Sequence, residues 1–126
     1  DLPDLKPWTN IIFLGSRPYE QLPAYCKIFD VAIIPFVISE LTINSNPVKL
    51  KEYLAAGNPV VSTKIPEAEH YRDLIVVAAD YNEFVYGIEG ILKTDDDTLR
   101  AKRSDSVRDE SWESRLLQIT KILSHD

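Results

Sequence analysis

Apolar residues in this chain occur in two patterns that alternate along its length. Four short unbroken runs are bounded by glycine, proline or polar residues: Asn10-Ile11-Ile12-Phe13-Leu14-Gly15, Val31-Ala32-Ile33-Ile34-Pro35-Phe36, Pro59-Val60-Val61-Ser62 and Leu74-Ile75-Val76-Val77-Ala78. Runs of this length predict strands buried on both faces. Between them apolar residues recur every three or four positions. Leu22, Tyr25, Cys26 and Phe29 predict a helix ending near Phe29, with Pro23 in its first turn, where proline is tolerated. Phe84, Ile88, Ile91 and Leu92 predict a helix from Tyr81 to Lys93. Two further helices are predicted over Asp95 to Val107 and Trp112 to Leu123. The last carries a stripe of Leu116, Ile119 and Leu123, with Trp112 as its core anchor. Residues 37 to 46 predict a loop that turns polar toward Thr42, Asn44, Ser45 and Asn46, and Ile65 to His70 predicts a turn with a short helix. Strands alternating with helices predict an α/β fold, a Rossmann-like parallel sheet with flanking helices.

The segment from Asn46 to Thr63 is the most informative. Pro47 suits the first position of a helix, where its missing N–H costs nothing. Leu50, Tyr53, Leu54 and Gly57 then share one face. Gly57 stands where a helix end takes up a left-handed residue, and Pro59 prevents the helix from resuming. Lys49 and Glu52 fall on another face, one turn apart. A helix N-terminus carrying a lysine and a glutamate can hold a phosphate and a sugar hydroxyl together. A parallel sheet places its ligands at the carboxyl ends of its strands. The loops that meet this condition are Gly15 to Tyr19, Phe36 to Asn46 and Thr63 to Glu69. The crevice expected there is lined by Arg17, Asn44, Ser45, Asn46, Lys49 and Glu52.

Composition narrows the picture. A chain of 126 residues, 44% hydrophobic, suits one domain with one core. The formal charge of −6 and the absence of a basic patch argue against a nucleic-acid partner. Charges crowd between Asp95 and Glu113 with both signs mixed, which reads as a solvated helix pair. No apolar stretch reaches the roughly 20 residues that span a bilayer, and Asp1 to Pro7 does not read as a signal peptide. The single cysteine, Cys26, cannot form an intrachain disulfide and reads as a buried small hydrophobe, which favours a reducing, cytoplasmic location. His70 and His125 are far apart, and His125 falls at an end expected to fray. No metal-ligand spacing is present, so neither a metal nor another cofactor is expected.

Three motifs in one order complete the reading: Phe13-Leu14-Gly15, Asp30-Val31-Ala32-Ile33-Ile34-Pro35, and Asn46-Pro47-x-Lys49-x-x-Glu52-Tyr53-x-Ala55-x-Gly57-x-Pro59-Val60-Val61. Over residues 10 to 92 they resemble the carboxyl-terminal, donor-binding domain of GT-B glycosyltransferases, the large retaining family 4 group in particular. The resemblance implies a nucleotide-diphosphate sugar as ligand. Glu52 matches the glutamate that holds the ribose hydroxyls; a carboxylate accepts two vicinal O–H bonds, and charge-assisted bonds are the stronger kind. The diphosphate is implied at the helix N-terminus, around Pro47, Val48 and Lys49. The loop after Gly15 makes Ser16, Arg17 and Pro18 candidates for nucleotide contact. The implied substrate-binding set is Ser16, Arg17, Asn44, Asn46, Val48, Lys49 and Glu52, and no catalytic residue is assigned.

The sequence departs from the family pattern at two places. Eight residues before Glu52, where many members carry a first glutamate, stands Asn44; its amide can bond a sugar hydroxyl without the charge. The chain also opens without the first strand-helix units of such a domain, which include central strands of its sheet, and without the amino-terminal acceptor domain. Residues 1–126 are therefore expected to be a partial donor domain, inactive alone, whose partners are a nucleotide-diphosphate sugar and the acceptor domain of the full-length enzyme. Its sheet would have to re-order, exchange elements with a second copy in a homodimer, or leave hydrophobic edges exposed. The expected function is donor binding for a glycosyltransferase of polysaccharide biosynthesis. The alternatives are a non-catalytic binding or assembly module on the same fold, or a fragment of a GT-B nucleotide-sugar epimerase. A phosphoacceptor receiver domain fits worse, because Gly15-Ser16-Arg17 lacks the acidic cluster it needs.

Overall fold

The computed structural model describes residues 4–124, with Trp112 by its backbone alone. The expectations for His125 and for the Trp112 side chain lie outside the described residues. The elements are a 3₁₀ turn over Tyr19–Gln21, α1 (Leu22–Cys26), β1 (Ala32–Ile34), α2 (Glu40–Ile43), α3 (Val48–Ala55), β2 (Val60–Thr63), α4 (Pro66–Glu69), β3 (Val76–Ala78), α5 (Tyr81–Thr94), α6 (Asp97–Ser106), a 3₁₀ turn over Arg108–Glu110, and α7 (Trp112–Leu123). The strands form a parallel sheet in the order β1-β2-β3. This is the Rossmann-like α/β arrangement that the alternation predicts. No helix among the described residues is long and apolar enough to cross a membrane.

Both faces of the central strand are covered, which is why the strand runs read as unbroken apolar sequence. Ala32 pairs with Val60 and Ile34 with Ser62. This face meets Leu50 and Leu54 of α3, together with Ile65, Ala68, Tyr71, Ile75 and Val107. On the opposite face Ile33, Val61 and Val76 stand in register. There α5 packs over β2 and β3 so closely that a Cβ on Gly87 would lie 2.7 Å from Val76 Cγ1. Its cover stops short of β1, and Ile33 stays 46% exposed.

Residues 10–15 depart from the sequence expectation. They form no strand, and Ile12 and Phe13 are 81% and 64% exposed. A strand persists only where a neighbour takes up its backbone groups. The sheet ends at β1, and this run does not join it. The run is left as exposed hydrophobic sequence outside the sheet. The stripe of α7 also forms without burial: Leu116, Ile119 and Leu123 are all exposed. Within the predicted loop at 37–46, Ser39 and Thr42 build a reciprocal cap (Ser39 N–H to Thr42 Oγ1, 2.8 Å; Thr42 N–H to Ser39 Oγ, 3.3 Å) that starts α2. Four residues are too few for an apolar period to announce.

The helix α3 is fixed at its end and along one side. Pro47 is its N-cap rather than its first helical residue, with ψ at 109° and its carbonyl accepting from Leu50 N–H at 3.0 Å. At the other end Gly57 has φ +78°. Gly57 N–H bonds to Leu54 O (2.8 Å) and Asn58 N–H to Tyr53 O (2.9 Å), a paired closure that satisfies two terminal carbonyls. On this closure sits α6. Ser104 Oγ donates to Ala55 O at 3.0 Å, and Arg103 Nε to Gly57 O at 3.0 Å. The Arg103 side chain is only 3% exposed and is paired with Asp95 at 2.5 Å. On its flank Lys51 binds Glu110 (2.6 Å) and Glu67 (3.3 Å), and Glu110 also accepts from Tyr71 Oη (2.6 Å) and Arg115 (3.2 Å). Lys51, then Tyr71, holds the Glu110 carboxyl below its usual range. In turn Glu110 raises Lys51, and burial and Glu110 raise the Tyr71 phenol.

Two measurements test this packing. Replacing Gly87 by Ala sets a new methyl against a β-branched side chain with little freedom to yield. Overpacking of about 1–3 kcal/mol should outweigh the gain of up to about 1 kcal/mol in helix propensity. Gly90, with open space around it, should instead gain about 0.5–1 kcal/mol on the same change. Urea unfolding of the two variants should shift in opposite directions. Glu110→Gln should lose about 1–2 kcal/mol at neutral pH, since hydrogen bonds to a charged group are replaced by weaker ones. Because the folded carboxyl is lowered, its contribution is present above the ordinary carboxylate range and fades as pH falls through the folded value. The difference between native and variant should therefore shrink in acid; a difference independent of pH would exclude the charged clamp.

Candidate functional site

Two helical stripes face one another across a cavity of 340 Å³. One stripe runs through the first 3₁₀ turn and α1: Tyr19, Leu22, Pro23, Cys26 and Lys27 stand at i, i+3, i+4, i+7 and i+8. The other belongs to α3 and its end: Glu52, Ala55 and Ala56 stand at i, i+3 and i+4. Residues so spaced lie on one side of a helix. The gap exists because the two alanines offer little bulk to fill it, while Phe29 and Tyr53 hold the helices together edge to face at 6.2 Å. Leu22, Pro23, Cys26, Ala55 and Ala56 make the walls apolar, and Tyr19, Lys27 and Glu52 supply the polar points.

Electrostatics centre on Glu52. Its charge pushes the Tyr19 phenol above its ordinary value. Burial, followed by the Glu52 charge, does the same to the Cys26 thiol. Cys26 is thus kept as a neutral thiol and serves as apolar wall, as expected of a buried cysteine. Among the described residues no group of three or more His, Cys, Asp or Glu side chains could hold a metal ion.

Of the seven sequence candidates, Glu52 is the one that lines this cavity. Val48 and Lys49 are exposed in the first turn of α3, which no side chain caps. Ser16 and Arg17 are exposed in the loop between Gly15, whose φ is +68°, and Tyr19. Asn46 is exposed just before Pro47. Asn44 caps the end of α2 and its Nδ2 donates to Glu40 O at 2.8 Å, while Ser45 Oγ donates to Thr42 O at 2.8 Å. The crevice expected from Arg17, Asn44, Ser45, Asn46, Lys49 and Glu52 is therefore not assembled as one lining: residues 39–45 bond among themselves, and Glu52 opens toward α1. A separate hollow of 430 Å³ does lie over the strand ends, touching Pro35, Thr63, Lys64 and Tyr81, and none of the seven lines it.

Tyr19, Lys27 and the two alanines were not in the expected set. Tyr19 is 69% exposed rather than packed, whereas Phe36 packs against the core. The i, i+3, i+4 spacing from Tyr19 and from Glu52 is visible in the sequence; that the two stripes face one another is not. An apolar slot with a carboxylate at one side suits a ligand with a flat ring and adjacent hydroxyls.

The family model for group 1 glycosyl transferases matches residues 2–94. A Bacillus subtilis (strain 168) protein, TuaH, named for a glycosyltransferase role in teichuronic acid biosynthesis, is 31% identical over 117 residues. The match covers 89% of this chain and 30% of that protein, so the chain spans less than a third of the relative's length. No solved structure matches the chain. The chain belongs to the group 1 glycosyltransferases.

Proposed function

We propose that this chain is the donor-binding part of a glycosyltransferase and takes a nucleotide-diphosphate sugar along α3. The observation that carries the reading is the position of Glu52: it opens on an apolar cavity one turn beyond an uncapped, exposed helix N-terminus. The nucleobase lies in the slot between α1 and α3, and the pentose hydroxyls bond to Glu52. Val48 and Glu52 are about 6 Å apart along the helix axis, a span the sugar-phosphate linkage of a nucleoside diphosphate bridges. The diphosphate then meets the free N–H groups of Val48 and Lys49, the Lys49 ammonium and the positive end of the helix dipole. Ser16 and Arg17 approach the nucleotide from the loop beside Tyr19. Asn46 flanks the phosphates, and Asn44 offers its remaining amide oxygen to the transferred sugar.

Transfer breaks the bond between the sugar and the diphosphate, and negative charge grows on the leaving phosphate. Fixed N–H dipoles and a lysine aimed at that charge stabilise the transition state more than the ground state. The acceptor is bound by an amino-terminal domain in the full-length enzyme, and this domain alone does not transfer sugar. The domain works in the cytoplasm, and the name of the Bacillus relative supports a polysaccharide as the product of the whole protein. A non-catalytic module on the same fold is the competing reading, and the commitment of Asn44 Nδ2 to Glu40 favours it.

Calorimetric titration of the native chain and Glu52→Ala with uridine, guanosine and adenosine diphosphates tests the proposal. We expect weak binding of one of them, weakened at least tenfold (about 1.4 kcal/mol) by the substitution. Equal affinity of both forms would refute the pentose role, and no binding by either would favour the non-catalytic module.

A further inference from the structure

The 430 Å³ hollow over the strand ends has a simple origin. The strands are parallel, so β1, β2 and β3 all finish on the same side of the sheet. Their ends floor the hollow. On one bank the first turn of α5 sets Tyr81 and Phe84 at i and i+3, on one side of that helix. On the other bank the chain leaves β1 through Pro35 and Ile38. The gap stays open because the chain enters α5 through two small residues, Ala78 and Ala79. Tyr81 is 81% exposed and Ile38 is 50% exposed, so the core holds neither side chain. Two charged groups of opposite sign border the hollow: Lys64, just past β2, and Asp80, the N-cap of α5. Neither is in an ion pair among the described residues. Asp80 Oδ1 accepts from Glu83 N–H at 2.9 Å, which leaves the second carboxylate oxygen for a ligand.

We propose that this hollow binds a pyranose ring of the acceptor, at a site distinct from the Glu52 cavity. A pyranose has a face of C–H groups and a rim of hydroxyls. The C–H face suits the negative face of the Tyr81 ring and the apolar bank of Pro35 and Ile38. The rim needs donors and acceptors together; Lys64 offers the first and Asp80 the second. Opposite charges cancel in the lining, which favours a neutral ring over an anion. The volume lies within the range of small-molecule sites, about 300–1,000 Å³. A parallel sheet takes its ligands at the carboxyl ends of its strands. The N-terminus of α3 is on that side too, because α3 carries the chain back from the end of β1 to the start of β2. A sugar in the hollow therefore stands on the side of the sheet proposed for the donor diphosphate. The role of acceptor rests on the donor-binding reading above, while the site uses none of the residues assigned to the donor.

Backbone amide shifts in NMR titrations locate the site. The native chain is titrated with methyl β-glucoside, methyl β-galactoside and N-acetylglucosamine, with the open-chain polyol sorbitol, and with uridine, guanosine and adenosine diphosphates. We expect at least one pyranose to move the amides of Lys64, Ala79 and Tyr81 with millimolar affinity. Sorbitol, which has the hydroxyls but no ring face, should leave them in place. Tyr81→Ala should weaken that pyranose about tenfold, whereas Tyr81→Phe, which keeps the ring, should retain it. Lys64→Ala should weaken it about three- to tenfold, the worth of one hydrogen bond. These variants should bind a nucleoside diphosphate as the native chain does. A native chain that binds a pyranose here and no diphosphate overturns the donor reading and keeps the sugar site. No shift with any of the pyranoses, equal shifts with sorbitol, or undiminished affinity in Tyr81→Ala overturns the inference. So does movement of these amides by a diphosphate, which would put the nucleotide in the hollow.

Discussion

The close approach of α6 to the end of α3 is the constraint on which the site depends. Gly57 reverses the chain in a left-handed turn, and a side chain there would meet the carbonyl of Arg100 at 3.0 Å. Glycine therefore satisfies two demands at one position: the backbone sign and the clearance. With the turn closed, the last carbonyls of α3 are bonded by their own chain and by Ser104, and Arg103 takes the carbonyl of Gly57 just beyond them. A guanidinium in that place is favoured by the negative end of the helix. It is also almost wholly buried, which is tolerable only because Asp95 neutralises it. The helix that presents Glu52 is thus set by a charge pair nearly out of water, one turn beyond the site.

Neighbouring residues on α3 divide the labour. Successive positions on a helix point about 100° apart, so Lys51 and Glu52 cannot serve the same surface. Lys51 turns to Glu67 and Glu110 and joins α3 to the elements that follow. Glu52 turns to the gap in front of α1. Leu50 and Leu54 take the third direction, into the sheet. A short helix with each side committed has no freedom to rotate. The base of the Glu52 side chain therefore keeps one bearing toward the cavity in front of α1.

Much of this was legible in the sequence, and the exceptions have physical causes. The strands at Ala32–Ile34, Val60–Thr63 and Val76–Ala78 were legible as uninterrupted apolar runs, which burial on both faces explains for the central strand, although Ile33 of the edge strand stays exposed. The end of α3 was legible because a glycine with a proline two residues on has few other uses. The run at Ile11–Leu14 has the same local signature as a true strand, but pairing is a property of the neighbour and not of the run. The Lys51–Glu110 pair joins positions far apart in the chain, so no window of sequence could display it. The cavity was half legible: each stripe has a helical period, while the gap between them depends on which helices face one another and on two alanines too small to close it.

The family match adds a division that the geometry explains. It ends at residue 94, and both stripes of the cavity and the open end of α3 lie inside it. Asp95, Arg103, Ser104 and Glu110, which hold α3 from outside, all follow it. A binding surface must match the chemistry of its ligand atom by atom. A buttress needs only a cation near a helix end, an acid near a lysine, and a helix to carry them. Many sequences satisfy the second requirement and few satisfy the first. The portion of the chain that lines the cavity is the portion the family pattern describes, while the stiffness behind it comes from sequence beyond that pattern.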